Sequence, residues 1–356
     1  MRRDKLVFAA TAVLTAALAG LFTWYISSLP EHRPDFAMMW QAMRLEKPYD
    51  HAALNAALRW ESRYPVAFVY PPTAMPFFGA LALLPMRVAL TVWAALSGAA
   101  LALASRSKWS PLLLLLPPVL WAIPGGQTSV LQGSVLLGAI LLLKQQPRWS
   151  GVLLAIALCL KPQLALAFPL LLLIERKWEV LAWTGAAVAV TAILSALLFG
   201  PSAWIDWARS LPQFLRLHEA TALLQRNEIA PGLPLWLRSF ALLAGSWAGA
   251  WALRRGNPIE AFVIAAGAGL IGSAHAMGYE FAMFAAACPA LLRRRKWSAS
   301  AIILFLMTPG FIWVGLPAFP FRLLALLMLV AAAAADGLLG ARKEGPNANP
   351  ALVSSA

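Results

Sequence analysis

Residues 180–199 read VLAWTGAAVAVTAILSALLF, twenty positions without one charged side chain. Wound as an α-helix at 1.5 Å per residue, they reach about 30 Å, the thickness of a bilayer's hydrocarbon core. Runs of similar character recur at about 6–29, 88–104, 111–123, 128–143, 149–160, 163–174, 233–253, 258–274, 279–292, 298–315 and 319–338. Hydrophobic residues make up 61% of the 356 and charged ones only 12%, with a mean hydropathy of +0.70. Ordinary soluble domains are roughly 25% charged, so the bilayer must be the solvent for most of this chain. The expectation is an all-α polytopic membrane protein of about 12 spans, forming one domain over 1–340.

The net charge of +14 raises the question of nucleic acid, whose signature is a basic face on a soluble domain. Here the basic residues sit in short clusters between apolar runs: Arg2, Arg3 and Lys5; Arg106 and Lys108; Lys144 and Arg148; Arg176 and Lys177; Arg254 and Arg255; the run from Arg293 to Lys296; Arg342 and Lys343. Placing every cluster in the cytoplasm satisfies the positive-inside rule with a single threading. No nucleic acid partner is expected. The first apolar run follows a basic start, but exceeds the 7–15 residues of a signal peptide's core and reads as a retained span. Cys159 and Cys288 both lie in apolar stretches and read as small buried hydrophobes.

The opposite side receives two longer loops, about 30–67 and 200–232, and the short turns GGQTS (125–129), SAHAMGYE (273–280) and GLPAFP. Residues 64–85 are apolar, but a full span there breaks the alternation. Tyr70-Pro71-Pro72 frees backbone groups that lipid cannot satisfy, so a re-entrant or interfacial element is expected. Lys161-Pro162 interrupts the apolar stretch 149–174, giving two half-spans that meet near the lysine. In loop 200–232, WIDWARSLPQFLRLHEATALLQRNE alternates apolar and charged residues at helical spacing, as an interfacial helix does. The tail 341–356 is polar and reads as disordered and cytoplasmic.

Few residues in such a chain can carry chemistry. Asp35 stands at the head of a segment with Phe36, Met39, Trp40 and Met43 on one helical face, which lays it along the membrane surface. It serves there as a helix N-cap, as a reactive carboxylate, or as both. Lys161 lies inside an apolar run, where an unpaired charge costs about 2.5–3.5 kcal/mol; it either snorkels to the interface or meets an anion in a cavity. His275 and Glu280 share one turn, suited to phosphate contact or proton transfer. Gln127 is a hydrogen bonder or simply turn chemistry after two glycines. The sequence has no HExxH, paired-cysteine, DxD, Walker or GxGxxG motif, so no metal or nucleotide cofactor is expected.

Four stretches in order, PDFAMMWQAMRLEKPYD (34–50), FVYPPTAMPFFGALALLP (68–85), GGQTS with the later Lys161-Pro162 break, and SAHAMGYEF (273–281), resemble landmarks of bacterial polyprenyl-phosphate-sugar-dependent transferases. These form glycosyltransferase family eighty-seven, within the GT-C class. The likeness runs from residue 1 to about 292. It departs where Thr128 and Ser129 follow Gly-Gln in place of the usual asparagine, where Ala274 replaces a proline, and where Glu280 replaces an aspartate.

The resemblance implies a multi-pass enzyme of the cytoplasmic (inner) membrane that works at its outer face. It would move a sugar, mannose first among the candidates, from a polyprenyl phosphate to a glycolipid or glycan hydroxyl. Asp35 would be the general base, with Lys161, His275 and Gln127 on the donor phosphate and Glu280 and Tyr70 in support. The rival class is a secondary transporter or lipid flippase, which shares the many spans and broken helices.

Overall fold

The computed structural model describes residues 2–29, 32, 34–58, 66–219, 228–293 and 318–339. The regular structure of the described residues is helical, and their one β-bridge joins Glu228 to Met277. Three of the described helices are long and apolar enough to cross a membrane: Leu6–Ile26, Met86–Ser105 and Trp178–Phe199. Five more described helices are apolar but only 10–17 residues long. The chain is an all-α membrane protein. These eight described helices fall short of the expected count of about 12 spans. Prolines divide the shorter runs: 111–123 splits into Ser110–Leu113 and Pro117–Ala122, each with proline in its first turn. The run 298–315 and the tail 341–356 lie outside the described residues.

Burial separates the roles of the helices. In Trp178–Phe199 only Val180, Thr184 and Ser195 are buried, while Val190, Leu197 and Leu198 are wide open. A helix apolar all round and exposed this way faces lipid. Helix Pro258–Gly272 is the reverse, buried from Ile259 to Ile271 on every face. It packs against Leu235–Arg254 on one side and Ala318–Leu339 on another, and forms the centre of the bundle. The first helix lies against Met86–Ser105, joined where Arg87 Nη2 donates to the Trp24 carbonyl at 2.8 Å and the Arg87 guanidinium covers the Trp24 ring.

A second core, rich in aromatic rings, sits above that end. Phe36, Tyr49, Phe68, Tyr70, Phe78 and Trp93 are all buried and form a chain of ring contacts. It unites the segment 36–50 with 66–84, fastened by Tyr49 Oη to the Tyr70 carbonyl (2.8 Å), Trp40 Nε1 to Leu84 O (3.0 Å) and Arg44 Nη1 to Ala82 O (3.1 Å). Residues 66–71 form no regular element, and from the extended Pro71 the chain enters a 3₁₀ turn, Pro72–Ala74, and an eight-residue helix, Met75–Ala82. Eight residues cannot span a bilayer, so this element is partial. Helix Ser202–Glu219 forms where the amphipathic pattern placed it, and its Trp207 Nε1 donates to the Val69 carbonyl at 3.2 Å.

Candidate functional site

The site is assembled from three breaks in helical structure. The first precedes helix Phe36–Ala42. Asp35 occupies its N-cap position, yet its side chain makes no capping hydrogen bond. Of the two roles open to it, capping is therefore not performed. The carboxylate Oδ2 instead accepts from Gln127 Nε2. His32 and Phe36 are sewn to the glycine turn, Phe36 by its N–H to the Gly125 carbonyl (3.1 Å) and His32 by its Nε2 to the Pro124 carbonyl (3.1 Å). Gly126 makes that seam possible. Its φ of +69° is a region that side-chain-bearing residues rarely adopt, and a Cβ there would overlap Phe36 Cβ. Gln127 is the residue expected on the donor phosphate; its amide nitrogen carries two N–H donors, and one of them goes to Asp35.

The second break is Lys161. A residue before proline is driven out of the helical region, and Lys161 stands at φ −138°, ψ 83° between helices Pro147–Leu160 and Pro162–Ala165. This is the expected meeting of two half-spans. The freed Lys161 carbonyl accepts from Gln132 Nε2 at 2.8 Å. Thr73 Oγ1 ties the Tyr-Pro-Pro segment to the same helix end through the Cys159 carbonyl, at 3.1 Å.

The third break follows helix Pro258–Gly272. The chain leaves the helix extended at Ser273, bends at Ala274 and His275, is extended again at Met277, and then winds as a 3₁₀ helix over Gly278–Ala287. An ordinary span was expected for 279–292. Ten residues is long for this winding, which seldom exceeds 3–4, and it brings Tyr279 and Glu280 round to the lysine. Gly133 admits it: a Cβ there would strike the Met283 backbone.

Lys161 Nζ and Glu280 Oε1 lie 2.6 Å apart, with side chains 13% and 2% exposed. The ammonium also sits 5.6 Å from the ring centres of Tyr70 and Tyr279, within cation–π reach. The anion that Lys161 meets in this structure is thus Glu280, 119 positions away in sequence. Glu280 Oε2 is buried with no hydrogen-bond partner. Asp35 lies within the field of Lys161. It keeps an exposed face, while the protein packed around the carboxyl raises its pKa above the ordinary aspartate value. The Lys161 charge and the Gln127 hydrogen bond pull the opposite way.

His275 has partners other than the lysine pair. Its Nδ1 is 3.3 Å from Glu228 Oε1, and its ring meets Phe214 edge-on at 5.2 Å. Arg238 holds that loop in place, donating to the carbonyls of Ala230, Leu233 and Ser273. Two neighbours of the lysine, Tyr279 and Gln132, escaped the sequence reading. Tyr279 adjoins a residue already singled out, whereas Gln132 looks like one more polar residue in an apolar helix.

Among the described residues there is no group of three or more His, Cys, Asp or Glu side chains able to hold a metal ion. In a comparison with protein families, the model of glycosyltransferase family 87 matches the chain over residues 68–277. Neither a curated protein nor a solved structure matches the chain.

Proposed function

The chain belongs to glycosyltransferase family 87, and on that premise we propose that it transfers a sugar from a polyprenyl phosphate to an acceptor hydroxyl, with Asp35 as general base. The observation that carries this reading is the side chain of Asp35. It sits at a helix N-cap, makes no capping bond, keeps an exposed face, and is oriented by a neighbouring amide.

The reaction follows from that placement. One carboxylate oxygen is held by Gln127, leaving Oδ1 to take the acceptor's proton. The acceptor oxygen attacks the anomeric carbon while the bond from that carbon to the phosphate oxygen breaks. The electron pair leaves with the polyprenyl phosphate, and the anomeric configuration inverts. General-base assistance of this kind contributes roughly 10²–10⁴-fold.

Lys161 neutralises charge as it develops on the leaving phosphate. An ammonium has three N–H donors; Glu280 takes one, and the others remain for phosphate oxygens. Glu280 orients the lysine, and its unpartnered Oε2 is an acceptor for a hydroxyl of the donor sugar. Tyr70 closes one side of the ammonium. His275, borne on a neighbouring turn, is the second phosphate contact. The scheme needs no metal, because the donor carries one phosphate. Mannose is the proposed sugar, a glycolipid or glycan the acceptor, and the outer face of the inner membrane the location.

The test is turnover by the purified protein in liposomes supplied with labelled polyprenyl-phosphate mannose and a glycolipid acceptor. Label appearing on the acceptor supports the reading. Label that crosses the bilayer still on its polyprenyl phosphate would mark a flippase instead.

A further inference from the structure

The first helix and helix Met86–Ser105 also enclose something at their other end. A cavity of about 1420 Å³ lies there, lined by Val7, Phe8, Leu103, Ala104, Val135 and Leu142 among other apolar side chains. Small-molecule pockets are usually about 300–1,000 Å³, so this one is oversized for a compact metabolite. Its place relative to the site is fixed by the shared helix. Trp93 touches Phe36, the neighbour of Asp35, and Arg106 lies thirteen residues further on, about 20 Å along the axis.

Three cations edge the cavity. Arg106 and Lys108 come from the loop after helix Met86–Ser105, and Arg293 from the end of Cys288–Arg293. All three are exposed, and among the described residues none is paired with a carboxylate. Arg106 takes φ 47°, a left-handed turn that glycine would fill with less strain. Its side chain therefore supplies something the turn does not need. Trp109, open to the surroundings with Lys108 Nζ 5.4 Å from its ring, sits as tryptophan does at a membrane–water boundary.

We infer that this cavity holds one anionic phospholipid, with acyl chain between the helices and phosphate among Arg106, Lys108 and Arg293. An apolar volume too large for a compact metabolite, with cations from two neighbouring helix ends, matches that ligand in both tail and headgroup. A zwitterionic lipid satisfies the walls but brings its own cation to a cationic rim. Positive-inside placement puts the rim at the cytoplasmic leaflet, where anionic headgroups attract basic residues. The site is independent of the transfer reaction proposed above.

The experiment reconstitutes the full chain in vesicles of equal phosphatidylglycerol and phosphatidylcholine, extracts it in mild detergent, and counts bound lipid by native mass spectrometry. Wild type is expected to retain one phosphatidylglycerol per chain, on the order of 10-fold over phosphatidylcholine, with the preference fading at 1 M salt as the Debye length falls to about 3 Å. Arg106→Gly with Lys108→Gln and Arg293→Gln should abolish the preference. Ala104→Phe, which narrows the cavity and leaves the charges, should weaken retention of lipid of either kind. Equal retention of the two lipids by wild type, a preference that survives 1 M salt or the triple change, or retention unchanged in Ala104→Phe would each overturn the assignment.

Discussion

Two charged centres lie close together in this molecule, and they are built in opposite ways. Asp35 is attached to short loop segments, keeps an exposed face, and is oriented by one neutral amide. Lys161 and Glu280 are enclosed between helices and neutralise each other. A carboxylate serves as a base when it is accessible and its charge is not locked into a direct ion pair, which lowers its affinity for a proton. A cation in an apolar interior persists only if its charge is matched. The first centre is arranged for reaction and the second for holding position, and substitution should tell them apart.

The largest effect should come from separating the buried pair. Lys161→Met leaves Glu280 enclosed without its partner, which typically costs ~3–5 kcal/mol. A thermal melt of the detergent-solubilised protein should show a marked fall in Tm. Adding Glu280→Met should restore much of that loss, since apolar replacement of both partners is often neutral, while sugar transfer stays impaired. Transfer that recovers together with stability would leave Lys161 with a structural role alone. A double-mutant cycle isolates the pair term.

Gly126→Ala should have the next largest effect, and on the other centre. It places a Cβ against Phe36 and asks alanine to hold φ +69°, a strain of about 1–3 kcal/mol. The segment bearing Asp35 must yield. Displacing a reacting group by about 1 Å can cost ~100-fold in rate, so kcat should drop more than stability does. Loss of stability with unchanged kcat would separate the glycine turn from the chemistry.

The smallest effect is a shift in pH dependence. The Asp35 carboxyl is raised above the ordinary aspartate range, chiefly by the protein around it, and Lys161 and Gln127 restrain the rise. Only the ionised form takes a proton, so activity should fall as pH drops through this raised pKa. Gln127→Leu removes a restraint and should move the acid limb to higher pH. An acid limb that stays in place, or moves down, would remove Gln127 as the group that orients the base.

Much of this arrangement was legible in the sequence, because its parts are local. Twenty uncharged residues at 180–199 announce a lipid-facing helix, proline after Lys161 announces a break, and an amphipathic repeat announces helix Ser202–Glu219. Long-range partners were not legible. Nothing near Lys161 points to Glu280 as its counter-ion, and nothing near Gln127 points to Asp35. The 3₁₀ winding of Gly278–Ala287 was also hidden, since its alanines, phenylalanines and methionine suit an α-helix equally well. It follows from backbone approach at Gly133, a property of the packed bundle. The span count was blurred by the same prolines that build the site.

Asp35→Asn tests the central claim most directly. Asparagine matches aspartate in size, can still accept the Gln127 hydrogen bond, and cannot serve as the base. With purified protein and labelled polyprenyl-phosphate mannose, transfer to acceptor should fall at least ~100-fold, while binding of the donor and Tm stay close to wild type. Transfer at the wild-type rate by Asp35→Asn would contradict the account, whatever the fate of the lysine pair.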